Sequence, residues 1–125
     1  MSEFYLRDKI YGWDKREQVK FCLFCCYKVK HLMDEESLET VKLVEKWLED
    51  ETSVSSKELR TAANWIADAD TVAYYMLKTA YYVYHADTLY WADNTALFTS
   101  SVLTSSKEAL YLDYMRDKLS DIMES

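Results

Sequence analysis

Apolar residues recur at intervals of three and four along much of the chain, which is the spacing of one face of an α-helix. One such stripe follows Asp14, and further apolar residues at positions 21, 24 and 25 widen it. Because so much of this segment is apolar, we expect a helix that is buried on most sides. The members of the stripe are Val19, Cys22, Leu23, Cys26, Val29 and Met33.

Two further stripes predict helices on either side of a long central region. A third helix is expected after Asp34, with Leu43 and Trp47 flanking its apolar face. The stripe of that helix is Leu38, Val41, Val44 and Leu48, and the stripe of the last helix is Leu112, Met115, Leu119 and Ile122. The central region is rich in Ala, Tyr and Thr and is too long for one helix of a globular domain. New helix starts are offered there by Asp68, Asp70 and Thr71 and again by Asp87 and Thr88.

Residues that cap helices indicate where the other helices begin. Ser2 is expected to cap a short helix that stops at Gly12. Pairs resembling a capping box, a polar cap with Glu three residues later, are Asp14 with Glu17, Ser55 with Glu58, and Ser105 with Glu108. Together these signals predict an all-α fold, a single-domain antiparallel bundle of six or seven helices. Its expected parts are an N-terminal helix in residues 1–12, a bundle core in residues 13–104 and a C-terminal helix in residues 105–125.

The composition excludes several other classes of protein. The 125 residues include one Gly and no Pro. Hairpins, tight βα loops and glycine-rich phosphate loops all depend on these residues, so β-sheet folds and common nucleotide-binding motifs are disfavoured. The longest apolar run has seven residues, far short of the roughly 20 that a membrane-spanning helix needs. Three clustered cysteines and a charged N-terminal segment favour a cytoplasmic protein.

Charge is uneven along the chain. The net charge is −7, and residues 61–125 carry 4 basic against 9 acidic side chains. Lys78 is the only basic residue between Thr61 and Ser106. Such a surface repels phosphate backbones, so direct nucleic-acid binding is not expected. It attracts basic proteins, and mimicry of nucleic acid is an alternative use of the same charge.

The residues that carry chemistry form no recognisable catalytic or metal motif. Cys22, Cys25 and Cys26 have only His31 and His85 as further zinc ligands, so the pattern favours three buried small side chains. His85 has no carboxylate at the spacings that metal-binding helices use, which favours a position at a helix end or in the core. We therefore predict no metal, no cofactor and no enzymatic activity. An enzyme that uses His85 with the aspartates at positions 68, 70, 87 and 93 is an alternative.

Tyrosines point to a binding surface. Six of the eleven tyrosines lie between residues 74 and 90, and we expect some of them to face solvent or a partner. Exposed tyrosine is a favoured anchor at protein interfaces. The predicted partner-binding residues are Asp68, Asp70, Tyr74, Tyr75, Tyr81, Tyr82, Asp87 and Tyr90.

Three short motifs carry a family resemblance over about residues 13–104. They are Trp47-Leu48, then Leu59-Arg60-Thr61-Ala62-Ala63, then His85-Ala86. In this order they resemble the all-helical immunity protein family five of polymorphic toxin systems. Glu49 and Asp50 stand where that family tends to place Gly. The resemblance implies a protein that binds and blocks another protein, either a toxin or, in a phage-borne relative, a defence protein of the host.

The first hypothesis is therefore a non-enzymatic, acidic helical inhibitor of a partner protein that presents a basic or active-site surface. A second hypothesis is a helical oligomer that binds a small ligand such as a nucleotide, with tyrosine rings stacking on the base. The aromatic surface exceeds what a bundle of this size must bury, so self-association is an alternative use of it.

Overall fold

The computed structural model describes residues 4–65, 72–85 and 87–124. Within these ranges the chain forms seven α-helices, two short 3-10 turns and no β-strand, which confirms the predicted all-α fold. The helices are α1 (Leu6–Ile10), α2 (Lys15–Lys28), α3 (Glu35–Glu49), α4 (Ser56–Trp65), α5 (Val72–Tyr82), α6 (Leu89–Leu103) and α7 (Lys107–Glu124). None of the described helices combines the length and apolar character needed to cross a membrane.

Helix α2 is the central element of the bundle. It packs against α3, α5, α6 and α7. Its side chains are buried on most sides, as the wide apolar stripe predicts, because neighbours cover it from several directions. The buried residues of α2 are Gln18, Val19, Phe21, Cys22, Leu23, Cys25 and Cys26.

Pairs of side chains along α2 and α7 show that these helices run antiparallel. At one end Lys28 lies 3.7 Å from Asp113, and at the other Lys118 lies 2.8 Å from Glu17. The residue number rises along α2 while it falls along α7, as antiparallel packing requires. Tyr114, between these two ion pairs on α7, also donates a hydrogen bond to Glu17. Burial alone would raise the pKa of Glu17, but the bonds from Lys118 and Tyr114 outweigh it and lower that pKa.

Three predicted helix starts are confirmed by cap hydrogen bonds. A side-chain oxygen accepts a backbone N–H of the first turn in each case, which satisfies one of the donors that a helix end leaves free. The three bonds run from Arg16 to Asp14 at 2.8 Å, from Ser37 to Asp34 at 2.8 Å, and from Glu58 to Ser55 at 3.1 Å.

Helix α7 differs from the prediction in its start and in its buried face. Ser106, not Ser105, is the cap, since its hydroxyl accepts the Ala109 N–H at 3.0 Å. Leu112 and Leu119, predicted to be core, are 50% and 58% exposed. The buried face contains Leu110 and Tyr114 instead. The reason is that the Tyr114 ring packs edge-on against Phe21 and Phe24 of α2 while its hydroxyl reaches Glu17, a combination no leucine offers.

The buried face of α3 overlaps the predicted stripe at Val41 and Val44 but differs from it at other positions. Trp47, expected at the flank, is fully buried, whereas Leu38 and Leu48 are only half-buried. The Arg16 guanidinium lies 5.4 Å from the Trp47 ring centroid, and it donates to Glu51 and to the Leu48 carbonyl. Tyr84 donates to the same Glu51 carboxylate, and these two bonds lower the pKa of Glu51. An ionised carboxylate therefore ties the end of α3 to α2 and to the turn after α5.

The helices end without help from glycine. Helix α1 stops at Ile10, and Gly12, the predicted stop, has no positive φ, so the left-handed cap that favours glycine is absent there. That conformation occurs instead at Thr104, which follows α6 with φ 51°. The Ser105 N–H then donates to the Ser100 carbonyl at 2.9 Å and closes the helix end. A β-branched residue in this conformation is strained.

Candidate protein-binding surface

The outer face of α5 carries one lysine surrounded by four tyrosines. Tyr74 and Tyr75 precede Lys78 by four and three residues, and Tyr81 and Tyr82 follow it by three and four. These spacings place all five side chains on one face of a helix. The opposite face is buried against the bundle through Val72, Ala73, Met76, Leu77, Thr79 and Ala80. Every tyrosine of α5 thus lies outside this fully buried face and is half-buried, and Tyr74 and Tyr81 also pack against core residues.

Rings of α6 complete this surface. Tyr75 stacks on Phe98 with centroids 5.0 Å apart and an interplanar angle of 11°. Tyr82 stacks on Trp91 at 5.2 Å and 8°. The two stacks also show that α5 and α6 are antiparallel. We call this surface the aromatic patch, defined as Tyr74, Tyr75, Lys78, Tyr81, Tyr82, His85, Tyr90, Trp91 and Phe98.

Lys78 lies at the centre of the aromatic patch. Its Nζ is 5.6 Å from the ring centroid of Tyr74, 5.8 Å from that of Tyr82 and 5.7 Å from that of Trp91. These distances fall within the range of cation–π attraction. Among the described residues, no carboxylate or carbonyl oxygen pairs with this ammonium group. Its positive charge is therefore held by rings and is not neutralised by the described part of the chain.

The patch continues along α6 as an apolar, uncharged surface. Tyr90 is 50% exposed and packs edge-on against Trp91 at 4.9 Å. Further along the helix Leu97 is 43% and Val102 50% exposed. The single charged residue of α6 is Asp93, which is buried between Arg7 at 3.2 Å and Lys107 at 2.9 Å. No charge of α6 itself thus lies on its exposed face.

His85 is at the edge of the patch. It lies in the turn that follows α5, is exposed, and stacks on Tyr81 with centroids 4.5 Å apart. The prediction of a position at a helix end is confirmed. Asp87, predicted as a contact residue, is exposed, and its carboxylate accepts the Leu89 N–H at 2.9 Å at the start of α6.

The predicted contact residues divide into three groups. The structure brings the five tyrosines together in the patch, and it places Asp87 at the start of α6, next to the patch in the sequence. Asp68 and Asp70 lie outside the described residues. The patch as described is aromatic with a cation at its centre, whereas the prediction combined tyrosines with aspartates and included no cation.

Sequence reasoning missed Lys78, Trp91 and Phe98. The sequence did contain a signal for Lys78. Tyrosines stand three and four residues before it and three and four residues after it, and these spacings place residues on a single helical face. Trp91 and Phe98 join the patch through the pairing of α5 with α6, a contact between helices that the spacing within one helix does not report.

The cysteines have the character expected of buried apolar side chains. All three are fully buried and free of disulfides. Burial raises the pKa of the Cys22 thiol to about 11, and it raises the pKa values of Cys25 and Cys26 as well. Thiols with raised pKa are poor nucleophiles at neutral pH. Among the described side chains, no group of three His, Cys, Asp or Glu residues is placed to hold a metal ion.

No protein-family model, no characterised protein and no solved structure matches this chain. The resemblance to the immunity protein family therefore stays a prediction.

Proposed function

We propose that this chain is a non-enzymatic helical protein that binds a partner protein through the aromatic patch and inhibits it. The observation that carries the proposal is the outer surface of α5 and α6, where stacked rings and exposed apolar side chains replace the usual charged solvent face. Contiguous apolar surface of this kind marks interaction sites on soluble proteins. Tyr, Trp and Phe are enriched at protein interfaces, and Tyr and Trp carry much of the binding energy.

The organisation of the patch favours a protein partner. The rings are pre-ordered by stacking on one another, so that few side-chain rotamers must be frozen when a partner binds. A tyrosine in such a position offers an apolar ring and a hydroxyl that bonds to water or to a partner. These properties suit an anchor surface for another folded protein.

The charge of the whole chain adds long-range attraction. A net charge of −7 draws a basic protein towards the molecule and speeds association, while the rings supply the short-range contact that slows dissociation. Toxin immunity and inhibition of a host defence protein, the two roles implied by the family resemblance, both need this combination of fast association and slow release.

The test is a capture experiment with matched variants. Tagged protein is used to isolate a partner from cells that produce it, and binding is then measured with purified components. Leu97→Asp places a charge in the exposed face of α6, and Trp91→Ala removes a central ring. Ser120→Asp adds the same charge as Leu97→Asp on an exposed position of α7, away from the patch residues.

We expect one partner in stoichiometric amount, a loss of affinity of about 30-fold or more for each patch variant, and no loss for Ser120→Asp. The activity of the purified partner should fall when the wild-type chain is added to it. Equal binding by all three variants would contradict the proposal. Light scattering of the purified chain separates self-association from partner binding, since a homo-oligomer that Leu97→Asp dissociates would assign the patch to a second copy instead.

A further inference from the structure

Lys78 carries a charge that the described part of the chain leaves unbalanced. Several cations of the bundle pair with carboxylates, including Arg7 and Lys107 with Asp93, and Lys118 with Glu17. The Lys78 Nζ instead lies 5.6–5.8 Å from the centroids of three aromatic rings. Between Thr61 and Ser106, Lys78 is the one basic residue, and the other side chains there are acidic or neutral.

The surrounding rings prepare this ammonium group for an anion. Cation–π attraction holds the flexible side chain in place, but it does not cancel the charge. The aromatic surroundings also exclude part of the water that screens the charge, and an opposite charge is attracted more strongly where water is excluded. A cation that is already positioned and partly desolvated needs less ordering when it meets a carboxylate.

We propose that the aromatic patch is a receptor for a single carboxylate side chain of the partner, which pairs with Lys78 inside the ring formed by Tyr74, Tyr82 and Trp91. This inference rests on the proposed function, and it specifies the chemistry of the partner at one point. The partner surface is basic around its contact, which the net charge of −7 favours, and carries one Asp or Glu at the centre.

One carboxylate fits the patch better than a nucleotide. A nucleotide brings several negative charges, whereas Lys78 is the single cation at the centre and the nearby Arg7, 5.9 Å from the Tyr90 ring, is committed to Asp93. A base also needs an open ring face, and Tyr82 with Trp91 and Tyr75 with Phe98 already turn faces towards each other. A carboxylate needs neither an open face nor a second cation.

The test uses the isolated protein and small probes, so that its result does not depend on finding a partner. Phenylacetate supplies a carboxylate on an apolar ring, phenylacetamide has the same shape without the charge, and AMP represents a nucleotide. Binding is followed by two-dimensional NMR of the lysine Cε–Hε groups. Three nearby rings should shift the Lys78 signal upfield of the other lysine signals in the free protein, which identifies it.

We expect phenylacetate to shift the Lys78 signal saturably in roughly the millimolar range, and to bind at least about tenfold more tightly than phenylacetamide. The Lys78→Met variant lacks the lysine signal, so binding to it is followed by the NMR signals of the Trp91 ring. Because methionine has similar length but no charge, phenylacetate should shift the Trp91 signals in the wild-type chain and leave them unchanged in Lys78→Met. Lys78→Arg should retain this shift. Lys57→Met removes an exposed lysine at the start of α4, outside the patch, and should change nothing.

Equal binding of phenylacetate and phenylacetamide, or an unchanged Trp91 response in Lys78→Met, would overturn the inference. Tighter binding of AMP than of phenylacetate would overturn it in favour of a nucleotide site. Failure of this inference and failure of the proposed function are distinguishable. A protein partner captured through the patch by a chain that ignores phenylacetate leaves the function standing and removes the carboxylate. A phenylacetate response with no captured partner supports the carboxylate site and contradicts the proposed function.

Discussion

Helices α3 and α6 have the same length, 15 residues, and both bury one side in the bundle, but their outer sides differ in kind. The outer side of α3 carries six exposed charged residues, namely Glu35, Glu36, Glu39, Lys42, Lys46 and Glu49. The outer side of α6 has no exposed charge and presents Tyr90, Leu97 and Val102 to solvent. One surface is adapted to water, and the other has the composition of an interface.

The difference also separates aromatic residues of the core from aromatic residues of the surface. Trp47 of α3 is fully buried and is enclosed by Arg16 and Tyr84. Trp91 of α6 is half-buried and forms part of the patch with Tyr82 and Lys78. The same residue type is thus used once to hold the bundle together and once to build a surface.

Replacing these two tryptophans gives the largest expected effects. Trp47→Ala should lower the free energy of unfolding by about 3–5 kcal/mol, because a large buried ring is lost and a cavity remains. Trp91→Ala should lower it by about 1–2 kcal/mol, since part of that ring is already exposed to water. Urea unfolding followed by circular dichroism measures both. Equal losses would mean that Trp91 belongs to the core and would weaken the case for the patch.

The same contrast between inner and outer positions holds for two leucines of α7. Leu110→Ala should lower the free energy of unfolding by about 2–4 kcal/mol, because Leu110 is buried. Leu112→Ala should change it by less than about 0.5 kcal/mol, because half of that side chain is in water. The comparison uses the same substitution two residues apart on one helix. A large loss of stability in Leu112→Ala would mean that Leu112 is buried, as the sequence pattern predicts.

The ends of α3 and α6 differ as well. After α3 the chain leaves in an extended conformation at Asp50, whereas after α6 Thr104 takes a left-handed conformation. Thr104→Gly should raise the free energy of unfolding by roughly 1 kcal/mol, because glycine adopts this conformation without strain. Ser101→Gly, at a right-handed helical position in the last turn of α6, should lower it by about 0.5 kcal/mol. Destabilisation by Thr104→Gly would show that the cap is not strained.

The pH dependence of stability tests the ionic tie at the end of α3. The bonds from Tyr84 and Arg16 lower the pKa of Glu51 in the folded state. Its contribution is therefore complete above the pKa of the unfolded chain, about 4.3, and is lost as the pH falls through the lower folded value. Glu51→Gln should reduce stability at pH 6 and flatten the loss between pH 5 and 3, measured by urea unfolding across that range. If the free energy of unfolding fell with pH as steeply in Glu51→Gln as in the wild type, the Glu51 carboxylate would not contribute to the loss of stability in acid.

Much of the fold could be predicted because its signals are local. Asp14, Asp34 and Ser55 start helices through hydrogen bonds to residues two or three positions away, which the sequence displays directly. The face of α7 was predicted wrongly at Leu112 and Leu119 because two stripes on that helix have helical spacing. Only the packing of Tyr114 against Glu17 of α2 decides between them, and that contact spans 97 positions of sequence.

The proposed binding surface was predictable in part for the same reason. The tyrosines are numerous enough to indicate a surface, and their grouping on α5 follows from helical spacing. The position of Lys78 among three rings depends on Trp91 of α6, and the apolar outer side of α6 is recognised only once its inner side is known. Those features follow from how two helices pair, which a pattern along one helix does not encode.

The most direct test of the central claim maps the partner onto the surface. A photoreactive benzophenone side chain is placed at position 97 on α6 in one variant and at position 42 on α3 in another, and each is irradiated with the captured partner. We expect a covalent adduct with the partner from position 97 and none from position 42. An adduct from position 42 alone would place the partner on the charged surface and contradict the assignment of the aromatic patch as the binding site.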